Sequence, residues 1–133
     1  MRNVLLAAVL LSALPLPALC QHAEADDVPL YEGTWTVRLD DQRSARFVLK
    51  DWEGTWVETG AAGTVAHACR GRKFPVTVQH STTAHLEFTV WGSSIAAACP
   101  DTSFLLEPAG VPDRLEGETS GKVKVRMTRT RRG

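Results

Sequence analysis

Past residue 30 the chain lacks any sustained 3.6-residue apolar period, which excludes an amphipathic helix and with it a helical bundle. It also lacks net charge: 15 Lys and Arg balance 15 Asp and Glu, so no general electrostatic drive toward nucleic acid or an anionic membrane exists. Long apolar runs are missing except at the start, where Val4 to Leu14 falls short of the about 20 residues that a membrane span needs. A nucleophile elbow, a paired-acid motif and a glycine-rich phosphate loop are all absent, so no enzyme is expected; the adjacency of His80 and Ser81 in sequence does not make a catalytic dyad. His22, His67, His80 and His85 show no dense ligand spacing, so neither a metal nor another cofactor is expected.

What is present begins with "MRNVLLAAVLLSALPLPALC": a basic Arg2, a short apolar run, then Pro15, Pro17 and small residues. This is the layout of a secretory signal peptide over residues 1–25, with small-x-small cleavage points after Cys20 and after Ala25. The alternative, lipidation of Cys20, wants a small residue before the cysteine, and Leu19 is large. Residues 26–133 then form one domain in the periplasm or outside the cell, with no membrane association once the signal is removed. Of three cysteines, Cys69 and Cys99 remain, and in an oxidising compartment their default is a disulfide. The loop it closes should contribute about 3 to 4 kcal/mol. Acids predominate before residue 60, and "KVKVRMTRTRR" gives the chain a basic carboxyl-terminal tail, read as a solvated strand face with a frayed end.

Two-residue alternation recurs throughout. In "TWTVRLD", Trp35, Val37 and Leu39 share a face; in "SARFVLK", Ala45, Phe47 and Leu49 do; in "GKVKVRMTR", Val123, Val125 and Met127 do, with Arg129 next on that face. Turn signals at Asp40-Asp41, Asp51 to Gly54, Gly60 to Gly63, Arg70 to Lys73, Ser81 to Thr83, Gly92-Ser93, Pro100-Asp101, Pro108 to Asp113 and Ser120-Gly121 separate the runs. The fold class is therefore all-β: about eight short antiparallel strands in a meander. Closure into an up-and-down barrel removes exposed edges and is the first choice, an open sandwich the second.

"EGTW" occurs at residues 32–35 and again at 53–56. Odd strands start at one end of a meander, so Trp35, Trp56 and the turn residue Trp52 are expected at the same end, with Gly33 and its counterpart Gly54 letting the chain swing into each strand. If first and last strands pair, Arg129 meets Trp35 inside that end.

"GTWTVRL" at the first strand, "EGTWVETGAAG", "LEFTVWG" and the final "MTR" together resemble the calycin-type barrels, which include lipocalins, fatty-acid-binding proteins and avidins; the local text is most similar to the avidin and streptavidin family. The resemblance implies a small ligand-binding barrel with Gly33, Trp35 and Arg129 in structural roles. It implies a ligand-facing set of Trp56, Glu58, Phe88, Val37 and Val125. Val37 and Val125 stand where avidins carry Asn and Asp or Asn, Trp56 replaces a Tyr, Glu58 replaces a small hydroxyl residue, and a tryptophan is displaced to Trp91. A buried ureido group would lose several hydrogen bonds worth roughly 1 to 3 kcal/mol each, so biotin is not the expected ligand.

Glu58 has two possible phases. If Trp56 points inward so does Glu58, which would then need Arg, His or a ligand; in the other phase Thr55, Val57 and Thr59 face inward and Glu58 faces water. The expected function is that of an exported, non-catalytic barrel binding a small apolar or aromatic molecule on the Trp56 and Glu58 side. The alternative is a protein-interaction module, such as an inhibitor of a lytic enzyme or protease, acting through disulfide-held turns such as "RGRKFP".

Overall fold

The two-residue alternation becomes eight strands in a computed structural model that describes residues 28–60 and 68–133. The expected signal segment, both cleavage points, His22 and His67 lie outside the described residues. A 3-10 turn at Val28–Leu30 precedes β1 (Gly33–Leu39), β2 (Ser44–Lys50), β3 (Glu53–Glu58), β4 (Lys73–Ser81) and β5 (Leu86–Trp91). A second 3-10 turn at Gly92–Ser94 leads into β6 (Asp101–Pro108), β7 (Arg114–Thr119) and β8 (Lys124–Arg132). Each strand pairs antiparallel with the next, and β8 returns to pair with β1. The meander is thus a closed eight-stranded barrel, and the open sandwich is excluded.

Side chains alternate in and out as the pleat requires. Trp35, Val37 and Leu39 of β1, Ala45, Phe47 and Leu49 of β2, and Val125 and Met127 of β8 are all buried. A run of aromatic rings crosses the interior: Phe47 stacks on Phe88 at 4.6 Å, Phe88 on Phe104 at 4.8 Å, and Trp56 meets Phe104 at 4.8 Å. The middle of the barrel is therefore filled, with each ring burying a large apolar area.

The two Gly-Thr-Trp segments use their glycines differently. Gly33 has φ of +133°, and a side chain there would also lie 2.1 Å from the Arg131 carbonyl oxygen, so glycine serves both conformation and close approach. Gly54 has no such φ; a methyl there would sit 2.7 Å from the Phe47 ring, so the glycine makes room for the ring rather than for a turn.

The two tryptophans also part company, against the expectation that they share an end. Trp35 aligns with Phe47 and Phe47 with Trp56 across β1, β2 and β3. Strands of a closed barrel tilt against its axis, so residues aligned across the ladder climb along it. Trp35 is near the start of β1, whereas Trp56 is level with Phe74 at the start of β4, toward the opposite mouth. Trp52 stays in the β2–β3 turn, exposed, on the Trp35 end.

That end is latched. Trp35 Nε1 donates to the Tyr31 carbonyl at 2.8 Å, and the Tyr31 hydroxyl donates to the Thr82 carbonyl, tying the segment before β1 to the β4–β5 turn. The Arg129 guanidinium carbon lies 4.7 Å from the Trp35 ring centre. Its two terminal nitrogens donate to the carbonyls of Leu30 at 2.7 Å and Glu32 at 3.1 Å. Nε is 3.1 Å from Asp113 Oδ1, an ion-pair distance without hydrogen-bond alignment. At the other end the Cys69–Cys99 disulfide ties the β3–β4 connection to the β5–β6 connection. A disulfide fits an oxidising compartment. Among the described residues no helix is long and apolar enough to cross a membrane.

Candidate functional site

The mouth opposite the Arg129 latch holds a recess of about 220 Å³. Trp56, Phe74 and Phe104 form its aromatic floor, and Val90, Pro100 and Thr102 one side. The Cys69–Cys99 bridge forms another side, and Arg43 and Glu58 supply its charged groups. Three depressions elsewhere are larger, about 520, 500 and 380 Å³, but they are more open surface grooves, one along the β2–β3 hairpin by Trp52, one over Arg38, Glu116 and Lys124, and one between Leu30, Glu32, Arg129 and Arg132 at the latched end. Enclosure and apolar lining make the smaller recess the candidate site.

Register explains how a carboxylate comes to line it. Trp56 is buried between two inward neighbours, Phe47 on β2 and Phe74 on β4. With side chains alternating every residue, burying Trp56 also turns Glu58 inward, opposite Ala45. Glu58 is 8% exposed, while Thr55 is left exposed and Val57 half-buried, which resolves the two phases left open by the sequence.

The carboxylate is only partly provided for. Oε1 accepts from Trp56 Nε1 at 3.2 Å, and Arg43 Nη1 stands 3.8 Å away. Arg43 is committed elsewhere, with Nε 2.7 Å from Asp41 Oδ2. Oε2 is shielded from water and, among the described residues, has no hydrogen-bond partner. Burial raises the Glu58 carboxyl above its ordinary value of 4.5; the Trp56 N–H and the Arg43 charge pull it back, and the Asp41 charge adds slightly to the rise.

Of the ligand-facing residues expected from sequence, Trp56 and Glu58 line the recess. Phe88, Val37 and Val125 do not. Phe88 is fully buried one layer deeper, stacked between Phe47 and Phe104. Val37 is fully buried between Ala45 and Met127, and Val125 is buried between Leu39 and Gly117. Neither Phe88 nor Val37 has any exposed surface and Val125 has 4%, so none of the three is open to a ligand here.

Phe74, Phe104 and Arg43 were not singled out from the sequence. Alternation of Phe74, Val76 and Val78, and of Phe104 and Leu106, carried a signal for the two rings. Arg43 sits in the β1–β2 turn, where no periodicity speaks. His80 and His85 have ring centres 6.0 Å apart on the latch side, and among the described residues no group of three or more His, Cys, Asp or Glu is arranged to hold a metal ion. Compared with protein-family models, with curated proteins and with solved structures, the chain matches none.

Proposed function

We propose that this chain is an exported, non-catalytic binding barrel that holds a small apolar or aromatic molecule in the recess lined by Trp56 and Glu58. The observation that carries the reading is the contrast between a filled barrel middle and a partly enclosed, aromatic-floored space at one mouth. A cavity of about 150 Å³ lined by apolar side chains takes up benzene. At 220 Å³ the recess suits one ring with a short substituent or a small bicycle, below the size of pockets for drug-sized ligands. The calycin-like closed barrel and the avidin-like sequence text support the same use of the mouth.

Biotin is a poor candidate for this space. Val37 and Val125 are buried and present only methyl groups, leaving a ureido group without partners.

The test is a fluorescence titration of the mature, oxidised protein with toluene and ethylbenzene. Saturable quenching that disappears in Trp56→Phe, with Kd tighter than about 1 mM, is the expected result. Absence of saturation, or quenching unchanged in Trp56→Phe, contradicts the reading.

One observation favours a second reading. Arg70, Gly71, Arg72 and Lys73 are all exposed on the rim of the same mouth, next to the disulfide at Cys69. A protein-interaction module would present this rigid basic turn to an acidic surface, for instance that of a lytic enzyme or protease under inhibition. Replacing Arg70 and Arg72 with Glu would abolish such an interaction while leaving the toluene titration intact.

A further inference from the structure

The recess contains one group that its walls leave unsatisfied. A carboxylate offers about four lone-pair positions. Glu58 has one aligned donor, the Trp56 N–H at 3.2 Å, and one distant cation, Arg43 at 3.8 Å, both on Oε1. Among the described residues Oε2 has no partner, and it is out of reach of water. An unpaired buried acceptor is costly, and the cost is relieved by whatever brings a donor to it. The last torsion of a glutamate has a broad well, so a part turn of the carboxylate would bring the shielded oxygen toward a donor in the cavity that the side chain lines.

We propose that the ligand is a neutral aromatic molecule carrying one O–H or N–H donor, its ring on Trp56, Phe74 and Phe104 and its donor bound by the Glu58 carboxylate. This deepens the proposed function and rests on it. Neutrality follows from the charges around the mouth. Arg43 is itself part of the lining, and Arg70, Arg72 and Lys73 stand exposed on the rim, so an incoming cation meets like charge. An incoming anion meets Glu58 in the cavity and Asp41 beside Arg43. A phenol, indole or aromatic amide satisfies the carboxylate without bringing a charge out of water.

The experiment compares ring compounds of nearly the same size that differ in the donor. Calorimetric titrations of the mature, oxidised protein at pH 8 would use phenol, fluorobenzene and benzylammonium. Phenol is expected to bind about tenfold or more tightly than fluorobenzene, as a hydrogen bond to a charged acceptor should provide. It is also expected to exceed benzylammonium. In Glu58→Leu, with its fold checked by circular dichroism, the order of phenol and fluorobenzene should reverse; in Glu58→Gln, which keeps one acceptor oxygen, the preference should shrink. Equal binding of phenol and fluorobenzene would overturn the donor assignment while leaving the aromatic recess standing. Preference for benzylammonium would overturn the neutrality. No binding by any of the three would overturn this inference and the proposed function together.

Discussion

Trp35 and Trp56 face the same barrel interior and are linked through Phe47, yet their indole nitrogens meet different surroundings. Trp35 Nε1 donates to a neutral carbonyl at 2.8 Å, beneath an Arg129 guanidinium bonded to two further carbonyls and ion-paired with Asp113. Trp56 Nε1 donates to a carboxylate at 3.2 Å, although charge assistance normally shortens such bonds to about 2.7–2.9 Å. Around Trp35 the cation has two carbonyl acceptors and an ion pair, with only its Nε lacking an aligned acceptor; around Trp56 the carboxylate has one aligned donor, an oxygen without one and an adjoining aromatic recess. The difference teaches that one end of the barrel is held by a charged latch and the other leaves a carboxylate oxygen unbonded beside a recess.

The sharpest way to break the comparison is at the latch. Trp35→Ala should destabilise the fold by about 3 to 5 kcal/mol, because the ring is 1% exposed and its loss leaves a large cavity under Arg129. Chemical denaturation measures it. Trp56→Phe, which keeps a ring at the mouth but removes the aligned donor to Glu58, should cost less, about 1 to 3 kcal/mol. Similar costs for the two substitutions would erase the distinction between the ends.

Removing the disulfide as Cys69→Ser with Cys99→Ser opens a loop of sequence separation 30 and should cost about 3 to 4 kcal/mol in the same assay. It should also weaken small-ring binding, since the bridge walls the recess. Lost stability with unchanged affinity would restrict the bridge to a structural role.

Arg129→Ala should cost about 2 kcal/mol, and a double-mutant cycle with Trp35→Ala should return a coupling of about 1 to 2 kcal/mol for a largely desolvated cation over a ring. Additive effects would mean that the guanidinium acts through its carbonyl and Asp113 contacts alone.

The smallest effect is expected at Glu58, and it has the opposite sign. Its carboxyl is raised by burial, so the folded state holds the proton more tightly than the unfolded chain does. Stability from this group is therefore fully present below the unfolded value and is lost as pH rises from there through the raised folded value. Arg43 and Asp41, both in the β1–β2 turn, pull the carboxyl in opposing directions. Glu58→Gln should flatten this part of the pH–stability curve and leave the protein slightly more stable above it. Affinity for a donor-bearing ring should run the other way, falling as acid protonates the carboxylate. Wild-type and Glu58→Gln melting curves that stay parallel from pH 4 to pH 8 would show that Glu58 is not held in this state.

Much of the architecture was legible in the sequence because alternation is a strong signal when one face of each strand is buried. Trp35, Val37 and Leu39 declared the inner face of β1, and Arg129 falling next on the apolar face of β8 pointed to the Trp35 ring once closure was assumed. The site was less legible. Strand order alone placed Trp35 and Trp56 together, because barrel tilt moves partners along the axis and leaves no trace in a string of letters. Accessibility was hidden too: Val37, Val125 and Phe88 share the inward phase with Glu58 but are closed over by their neighbours, whereas Glu58 lines the recess. Arg43 was invisible because a turn residue reaches a cavity through tertiary geometry rather than periodicity.

The most direct measurement of the difference between the two ends is the set of indole N–H resonances of the 15N-labelled protein, one from each of its 4 tryptophans, followed as phenol is added. The Trp56 signal should move saturably with a Kd tighter than about 1 mM, while the Trp35 signal, held beneath Arg129 at the latched end, stays in place. Movement confined to Trp52 or Trp91 on the outer surface, or equal movement of Trp35 and Trp56, would contradict the assignment of binding to one mouth of the barrel.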